Sequence, residues 1–392
     1  MADESAHSLT DFSFIQNGIF YSWLQRLNLA GPSTRSYLLR ILAICGIVWL
    51  PLLILTLLQG LTFGRQVEIP FAHDFVTHAR LLVIIPILVF SERSVDYRLK
   101  ELSRFFFTAG ILNKDDYSKF AKIKQAIVRY SLSWWADLVI LILIASNIVI
   151  RWKSQPHVSS FWVLRPENGT EVISWAGIWY LYISIPLFQY LLLRWLWRWI
   201  LWLIYFRKIA HLPLKLNPSH PDKAGGLGFL GIQPAPFLSV TLAMSMLVSV
   251  AIAGQIFFFK VPLREYYVLL AGVAFLAIIL NVLPLLMFMP TMAKHRRKGI
   301  FEYSALIQEH HREFDQKWLN KKTDEQILGT SDPSSMIDIN SSFESVINMR
   351  FFPFDIRIMF TTILIVILPI LPLMFFEYNL MDVIKEIMKL LL

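Results

Sequence analysis

Long apolar runs alternate with shorter polar segments along most of this chain. A membrane-spanning helix needs about 20 mainly apolar residues. Runs of that length lie at 39–62, 75–94, 132–150, 173–193, 237–259, 266–290 and 356–376. The run at 75–94 is the weakest, because its uninterrupted apolar part extends only from Leu81 to Phe90. The pattern predicts an all-α polytopic membrane helical bundle of about seven spans, with residues 39–376 as the membrane domain.

Both ends of the chain show the period of an amphipathic helix. In residues 12–27, apolar side chains recur along one stripe, and Gly31-Pro32 ends the pattern. We interpret residues 1–38 as a cytoplasmic segment whose helix lies on the inner membrane face. Residues 377–392 repeat this design and are interpreted as an amphipathic helix on the outer face.

Two polar stretches, 92–131 and 293–356, are predicted to form small helical cytoplasmic segments that pack on each other. In the second stretch, Ser331-Asp332-Pro333 is typical of a helix start and predicts a helix that continues to Met349. Residues 320–332 form a polar linker before it.

Composition and charge agree with a membrane protein. The 392 residues are 56% hydrophobic and 17% charged, whereas soluble chains average about 25% charged residues. This composition excludes a soluble globular enzyme, and the single cysteine excludes a disulfide-stapled secreted domain. The first 36 residues show no signal-peptide pattern.

The net charge of +9 is explained by membrane topology, so no nucleic-acid partner is expected. With seven spans and a cytoplasmic N-terminus, 28 of the 37 lysines and arginines lie on the cytoplasmic side. The positive-inside rule favours this arrangement. We therefore predict a multi-pass protein of the cytoplasmic membrane, with its N-terminus inside, its C-terminus outside and the lipid bilayer as its partner. The oligomeric state is left open.

Ionisable or polar residues inside predicted spans are candidates for an ion or solute pathway. His78 and Arg80 lie near the outer end of the second span, where they could also snorkel to water. Asp137 is the only acid well inside an apolar run. It requires a wet cavity or a partner, for which Arg93, Arg129 and Arg194 lie at similar depth. Gln189 in the fourth span completes the pathway candidates.

The fourth span continues into Arg194-Trp-Leu-Trp-Arg198-Trp199. Tryptophans of this kind favour the headgroup region of a membrane. The segment is interpreted as an interfacial belt. The alternative is that its arginine pair holds an anionic lipid headgroup.

The segment 217–231, which contains HPDKAGGLGFLG, is the most unusual in the chain. Its G-x-G-x-x-G spacing does not predict a dinucleotide site, because a membrane helix and no strand precedes it. Glycines do let backbone amides approach an anion such as phosphate. The loop is therefore either a simple connector or an anion-binding loop, whose candidate residues are His220, Asp222, Lys223, Gly225, Gly226 and Gly228. No metal, cofactor or catalytic motif is recognised, so none of these is expected.

Four segments carry a resemblance to a known family: His78–Arg98, His220–Gly231, Arg312–Leu319 and Ser331–Phe343. From about residue 38 onward, the chain resembles uncharacterised bacterial multi-spanning integral membrane proteins that carry an HPD(R/K)AGGLGFL loop. It differs from that pattern at Lys223, where arginine is expected, and at 333–335. The resemblance implies a bacterial cytoplasmic membrane and no particular activity.

The leading functional hypothesis is that the bundle binds or passes a small ion or polar solute. A second hypothesis is a signalling or scaffold protein whose spans anchor the helices of 293–356. A third is a membrane-embedded enzyme acting on a phosphate-bearing or lipid substrate at the inner face, with His220 and Asp222 as acid-base candidates. A continuous wet path would favour the first, a closed pocket at His220 the third, and neither the second.

Overall fold

The computed structural model describes residues 31–377, except 32, 64–66, 154–160, 168–169, 233–236, 321–326 and 328. The two amphipathic helices predicted within 1–38 and 377–392 lie almost wholly outside the described residues.

The described chain is almost entirely helical. The first half contains α1 (Thr34–Leu58), α2 (Phe75–Ala79), α3 (Ile85–Thr108), α4 (Tyr117–Ser131) and α5 (Trp134–Lys153). A short antiparallel hairpin follows, with strands β1 (Leu164–Glu167) and β2 (Thr170–Ile173). The rest contains α6 (Trp175–Trp179), α7 (Ile185–Ala210), α8 (Phe229–Ile232), α9 (Leu238–Phe259), α10 (Tyr267–Leu286), α11 (Met289–Phe314), α12 (Asp332–Ile347), α13 (Arg357–Ile367) and α14 (Leu371–Glu377). Short 3₁₀ turns occupy Phe71–His73, Lys114–Asp116 and Leu263–Tyr266.

Six helical stretches of the described chain are long and apolar enough to cross a membrane. Spans 1 to 6 are Thr34–Leu58, Phe75–Thr108, Tyr117–Ile150, Trp175–Ala210, Leu238–Phe259 and Leu263–Leu286. Each overlaps one of the first six predicted runs, including the weak run at 75–94. Spans 2, 3 and 4 extend well beyond the predicted ends, because their amphipathic continuations remain helical against the rest of the fold. The prediction of an all-α, multi-pass membrane chain is confirmed at this level.

The run at 356–376, by contrast, is not one long helix, so the count of seven spans is not confirmed. It forms α13 and α14, separated by a turn at 368–370 around Pro369. Proline has no N–H group and interrupts helical hydrogen bonding. Two serines of α9 accommodate the interruption: Ser245 Oγ donates to the Val366 carbonyl at 2.6 Å, and Ser249 Oγ donates to the Pro369 carbonyl. The broken helix therefore lies along span 5.

Spans 2 and 4 are built alike, with corresponding features 100 residues apart. Each begins with a side-chain cap, Asp74 in one and Ser174 in the other. A five-residue helix follows in each, and then a π-helical turn at Arg80–Ile84 and at Tyr180–Ser184. A proline then enters the next helix, Pro86 in one and Pro186 in the other. The shared design makes these two spans a matched pair at the centre of the bundle.

The main apolar core joins spans 1, 2, 4 and 5, while large apolar side chains also cover the outside. In α5, Leu141 and Ile142 are each 54% exposed, and Val268 of α10 is 86% exposed. A soluble protein would bury such a surface. An apolar exterior over helices of this length is what a bilayer requires.

The two predicted cytoplasmic stretches take part in different helix pairs. Residues 92–131 contain the end of span 2 and α4, and α4 packs on α7. In 293–356, α11 packs against α12, which begins at Asp332 as predicted and ends at Ile347, two residues before the predicted end at Met349. Lys317 Nζ lies 2.9 Å from the Asp332 carboxylate and ties the end of α11 to the start of α12. The two stretches meet through the 217–231 loop, since Gly226 faces Ile111 and Gly225 faces Met349.

Candidate functional site

A buried polar cluster surrounds Asp74, at the start of span 2. The Asp74 carboxylate is the helix cap, and it accepts from the Thr77 backbone N–H at 3.1 Å and the Thr77 hydroxyl at 2.6 Å. Trp162 Nε1, which follows span 3, donates to the same carboxylate at 2.9 Å. Asp74 is only 5% exposed. The end of the bundle that contains this cluster is called the Asp74 end below.

The pathway candidates His78 and Arg80 belong to the same cluster. His78 Nδ1 accepts a hydrogen bond from Trp49 Nε1 of span 1 at 3.0 Å, so in the neutral ring the proton lies on Nε2. Arg80 Nη1 donates to the Tyr180 hydroxyl of span 4 at 2.8 Å. Both side chains therefore turn into the bundle, toward neighbouring spans, rather than along span 2 toward its end.

A second cluster lies at the opposite end of the same helices and is centred on Glu92, which sequence reasoning missed. Its two carboxylate oxygens contact different arginines: Arg40 Nη1 of span 1 at 3.1 Å, and Arg198 Nη2 of span 4 at 2.8 Å. Arg40 is 1% exposed and also donates to the Gly31 carbonyl at 3.1 Å. Glu92 thus joins three spans at what is called the Glu92 end below.

Asp137 forms a neighbouring pair, as the sequence predicted. Arg194 is its partner among the three candidate arginines: Arg194 Nη1 lies 3.0 Å from Asp137 Oδ1. The Tyr190 hydroxyl donates to the same oxygen at 3.0 Å, and Arg194 Nη2 donates to the Ser131 carbonyl at 2.9 Å. The side chains of both ions are nearly inaccessible to solvent. The pair locks span 3 to span 4.

Gln189 lies on the same interface but does not contact Asp137. Its amide Nε2 donates to Asn147 Oδ1 of span 3 at 3.0 Å. Asn147 lies ten residues further along its helix than Asp137, which corresponds to a rise of about 15 Å between the two backbone positions. The four pathway candidates are therefore distributed over three interfaces, which join spans 1 and 2, spans 2 and 4, and spans 3 and 4, rather than gathered in one site.

An apolar layer separates the two ends of the bundle. Arg80 and Glu92 are twelve residues apart in span 2, which corresponds to about 18 Å along a helix. Between them, Leu81, Ile84 and Leu88 are completely buried. In this conformation the Asp74 and Glu92 clusters are not connected through polar side chains of span 2.

The glycine loop already surrounds an anion, and that anion is its own Asp222. The carboxylate accepts from the backbone N–H groups of Ala224 at 2.8 Å, Gly226 at 3.2 Å and Gly228 at 2.8 Å. His220 Nδ1 lies 2.8 Å from Oδ1. Burial would raise the pKa of the Asp222 carboxyl, but these hydrogen bonds together hold it below its ordinary value. The ionised carboxylate therefore organises the loop.

Arg350, which sequence reasoning also missed, fastens the loop to the end of α12. Its backbone N–H donates to the Lys223 carbonyl at 2.7 Å, and its Nη2 donates to the Asp222 carbonyl at 2.9 Å. Lys223 has a positive φ of 54°, a conformation that usually favours glycine. A side chain at Gly231 would lie 2.5 Å from the Phe354 Cα atom. The loop is thus a tightly packed joint between helices.

The six anion-loop candidates have different roles in this joint. Asp222 and His220 form its centre, Gly226 and Gly228 donate to it, and Gly225 has a positive φ of 67° against the Met349 side chain. Lys223 contributes its carbonyl to Arg350. The binding of an external anion stays a prediction, and such an anion would have to compete with Asp222 for the amides of Gly226 and Gly228.

No protein-family model, curated protein or solved structure matches the chain. The resemblance noted in the sequence therefore stays an expectation, and the function has to be inferred from the geometry above.

Proposed function

We propose that this protein binds and passes a small ion or polar solute between spans 1, 2 and 4. The observation that carries the proposal is the pair of buried polar clusters at the two ends of these spans, around Asp74 and around Glu92. Ionisable side chains inside a membrane are costly, and they commonly face the bundle interior and mark ion or substrate routes. Spans 1, 2 and 4 contribute polar side chains to both clusters, so one cluster could serve as the entry and the other as the exit of such a route.

The apolar layer between the clusters corresponds to a closed gate. Leu81, Ile84 and Leu88 would have to part for a polar species to cross. Irregular helical turns often occur at functional sites. Leu81 and Ile84 of this layer belong to the π-helical turn Arg80–Ile84, whose counterpart in span 4 is Tyr180–Ser184. We propose that these two turns are the places where spans 2 and 4 change shape.

The orientation and the number of crossings belong to the same proposal. We propose a bacterial cytoplasmic membrane, with the N-terminus and the Glu92 end inside, because that choice places 28 of the 37 lysines and arginines on the cytoplasmic side. We also propose that α13 and α14 together make a seventh, broken crossing. They follow span 5 from the serine contacts with Val366 and Pro369 to the contact of α14 with the turn before α10.

The enzyme alternative has less support from the geometry. Asp222 is engaged by three backbone amides and its lowered pKa keeps it ionised, so it is not a good proton donor. The scaffold alternative is favoured by one observation, the α11–α12 pair, in which Phe301 and Ile337 are 72% and 69% exposed. That pair would be the partner-binding part of a scaffold.

Flux through reconstituted protein tests the proposal. Liposomes containing the purified chain would be assayed for protons, potassium, chloride and a small neutral polyol. We expect flux of at least one species above that of empty liposomes, and a reduction of at least tenfold in Arg80→Gln and Glu92→Gln. Glu302→Gln is the matched control, because its ion pair with Lys298 is exposed on α11. Flux equal to that of empty liposomes for all four species would refute the proposal.

Topology is tested separately by cysteine labelling. In a chain whose single cysteine is replaced by alanine, a new cysteine at Phe63 should react with an impermeant reagent added outside intact cells. A cysteine at Gly110 should react only after the membrane is opened, and a cysteine after Glu377 should behave like the one at Phe63. An inside location for the C-terminal position would contradict the seventh crossing.

A further inference from the structure

An open groove lies where span 3 bends, between α4 and α5. Its volume is about 660 Å³. The helix is interrupted at Leu132 and Ser133, and the last turns of α4 and the first turn of α5 both line the opening. The lining residues are Lys124, Gln125, Val128, Arg129, Leu132, Ser133, Trp134 and Trp135.

The charged residues that line the groove are all positive. Lys124 and Arg129 provide two cations, and none of its described lining residues is acidic. Ser133 already donates its hydroxyl to the Tyr130 carbonyl at 2.6 Å. The two cationic side chains and the Gln125 amide line the groove, and their chemistry fits a negatively charged oxygen group such as a phosphate.

The opposite rim consists of exposed indoles that continue into an apolar surface. Trp134 is 69% exposed and Trp135 is 45% exposed, although Trp135 also packs edge-on against Trp197 at 4.9 Å. Directly beyond them on α5, Leu138 and Leu141 are 45% and 54% exposed. Tryptophan favours the headgroup level of a membrane, so the groove lies where headgroup and acyl chain meet.

We propose that this groove binds the headgroup of an anionic phospholipid. The phosphate would lie between Lys124 and Arg129, the indoles would flank the glycerol region, and the acyl chains would follow the exposed face of α5. Free inorganic phosphate shares the charged group, but it would make no use of the indoles or of the apolar face beyond them. This inference requires only that span 3 lies in a membrane, and it does not depend on ion or solute passage.

Native mass spectrometry of the full chain in a neutral detergent can test the site. The probes are phosphatidylglycerol, phosphatidylcholine and inorganic phosphate. Each surface cation contributes about a fivefold gain in affinity for an anionic lipid, the factor that corresponds to about 1 kcal/mol. The variant Lys124→Gln/Arg129→Gln should therefore retain phosphatidylglycerol about 25-fold less well than the unmodified chain. Phosphatidylcholine should bind weakly to both.

Two further variants separate binding from folding. Lys294→Gln/Arg297→Gln removes the same charge from exposed positions of α11 and should bind phosphatidylglycerol like the unmodified chain. Lys124→Arg/Arg129→Lys keeps both charges and should also retain the lipid. Phosphatidylglycerol should raise the melting temperature of these two variants but not that of the double glutamine variant.

Three results would overturn the proposal. The first is equal phosphatidylglycerol retention by the double glutamine variant and the unmodified chain, and the second is equal binding of phosphatidylcholine. The third is a melting shift with inorganic phosphate as large as that with phosphatidylglycerol, which would mean that the groove recognises the phosphate group alone.

Discussion

The carboxylate of Glu92 should be one of the main stabilising groups in the bundle. It contacts Arg40 and Arg198, whose side chains are 1% and 10% exposed. Glu92→Gln keeps the size and one acceptor oxygen of this side chain, but it removes the negative charge. Its amide group would then present N–H donors to one of the two guanidinium groups. Removing one partner of a buried ion pair costs about 3 to 5 kcal/mol. Because glutamine can still accept one hydrogen bond, we expect about 3 kcal/mol.

The assay is the free energy of unfolding in mixed micelles, measured by titration with a denaturing detergent. Glu302→Gln serves as the control. Its ion pair with Lys298 is 60% exposed on the glutamate side, so it should cost less than about 1 kcal/mol. The double variant Glu92→Gln/Arg198→Gln should be more stable than Glu92→Gln alone, because one buried cation is also removed. A Glu92→Gln variant as stable as the control would refute the assignment of Glu92 as the link between three spans.

Three further predictions concern the loop and the broken helix. Because the pKa of Asp222 is lowered in the fold, the stabilisation from its carboxylate is present above the ordinary carboxyl pKa of 3.8 and is lost as the pH falls through the lower folded value. The protection of the loop amides, taken as the intrinsic exchange rate divided by the observed rate at the same pH, should therefore fall below about pH 4 in the unmodified chain but not in Asp222→Asn. The same pH dependence in both chains would contradict the assignment. Gly231→Ala should cost about 1 to 3 kcal/mol, because its new Cβ atom would lie 2.5 Å from facing backbone, whereas Gly46→Ala meets nothing within 4 Å and should be neutral or stabilising. Ser245→Ala and Ser249→Ala should each lower the free energy of unfolding by about 0.5 to 1.5 kcal/mol, because each leaves a carbonyl at the helix break without its hydrogen-bond donor. Unchanged stability in both variants would show that these serines do not accommodate Pro369.

The apolar pattern predicted the membrane helices well, because span length and hydropathy are local properties of the sequence. At 356–376 the composition suits a span, but the segment is divided at 368–370 around Pro369, so a seventh span is not confirmed. Whether a proline bends a helix or breaks it depends on the neighbours that donate hydrogen bonds to the freed carbonyl groups. Here those neighbours are serines more than 100 residues away in the chain.

The candidate sites were predicted less completely, because their contacts are long-range. Because a buried charge is costly, a partner for Asp137 could be predicted from the sequence. Which of the candidate arginines is that partner, Arg194, is known only from the fold. Glu92 was overlooked because it lies at the edge of an apolar run, where an acid is unremarkable. In the glycine loop, residue types indicated an anion, and the structure places Asp222 of the same loop in that position. The sequence signal that could have indicated this is an acid, Asp222, placed two residues before Ala224, whose backbone N–H is the first to donate to it.

The π-helical turn in span 2 changes which way half of that helix faces. In an uninterrupted α-helix, Glu92 would point about 120° away from Arg80, since twelve residues at about 100° each leave that remainder. Each π-helical residue turns the chain by roughly 80° instead, so the five residues Arg80–Ile84 remove roughly 100° of rotation. The two side chains are thereby brought to within roughly 20° of each other. Arg80 can then meet Tyr180 while Glu92 meets Arg198, both on span 4. The π-helical turn thus rotates the second half of span 2 relative to the first half, so that Arg80 and Glu92 face the same neighbouring helix.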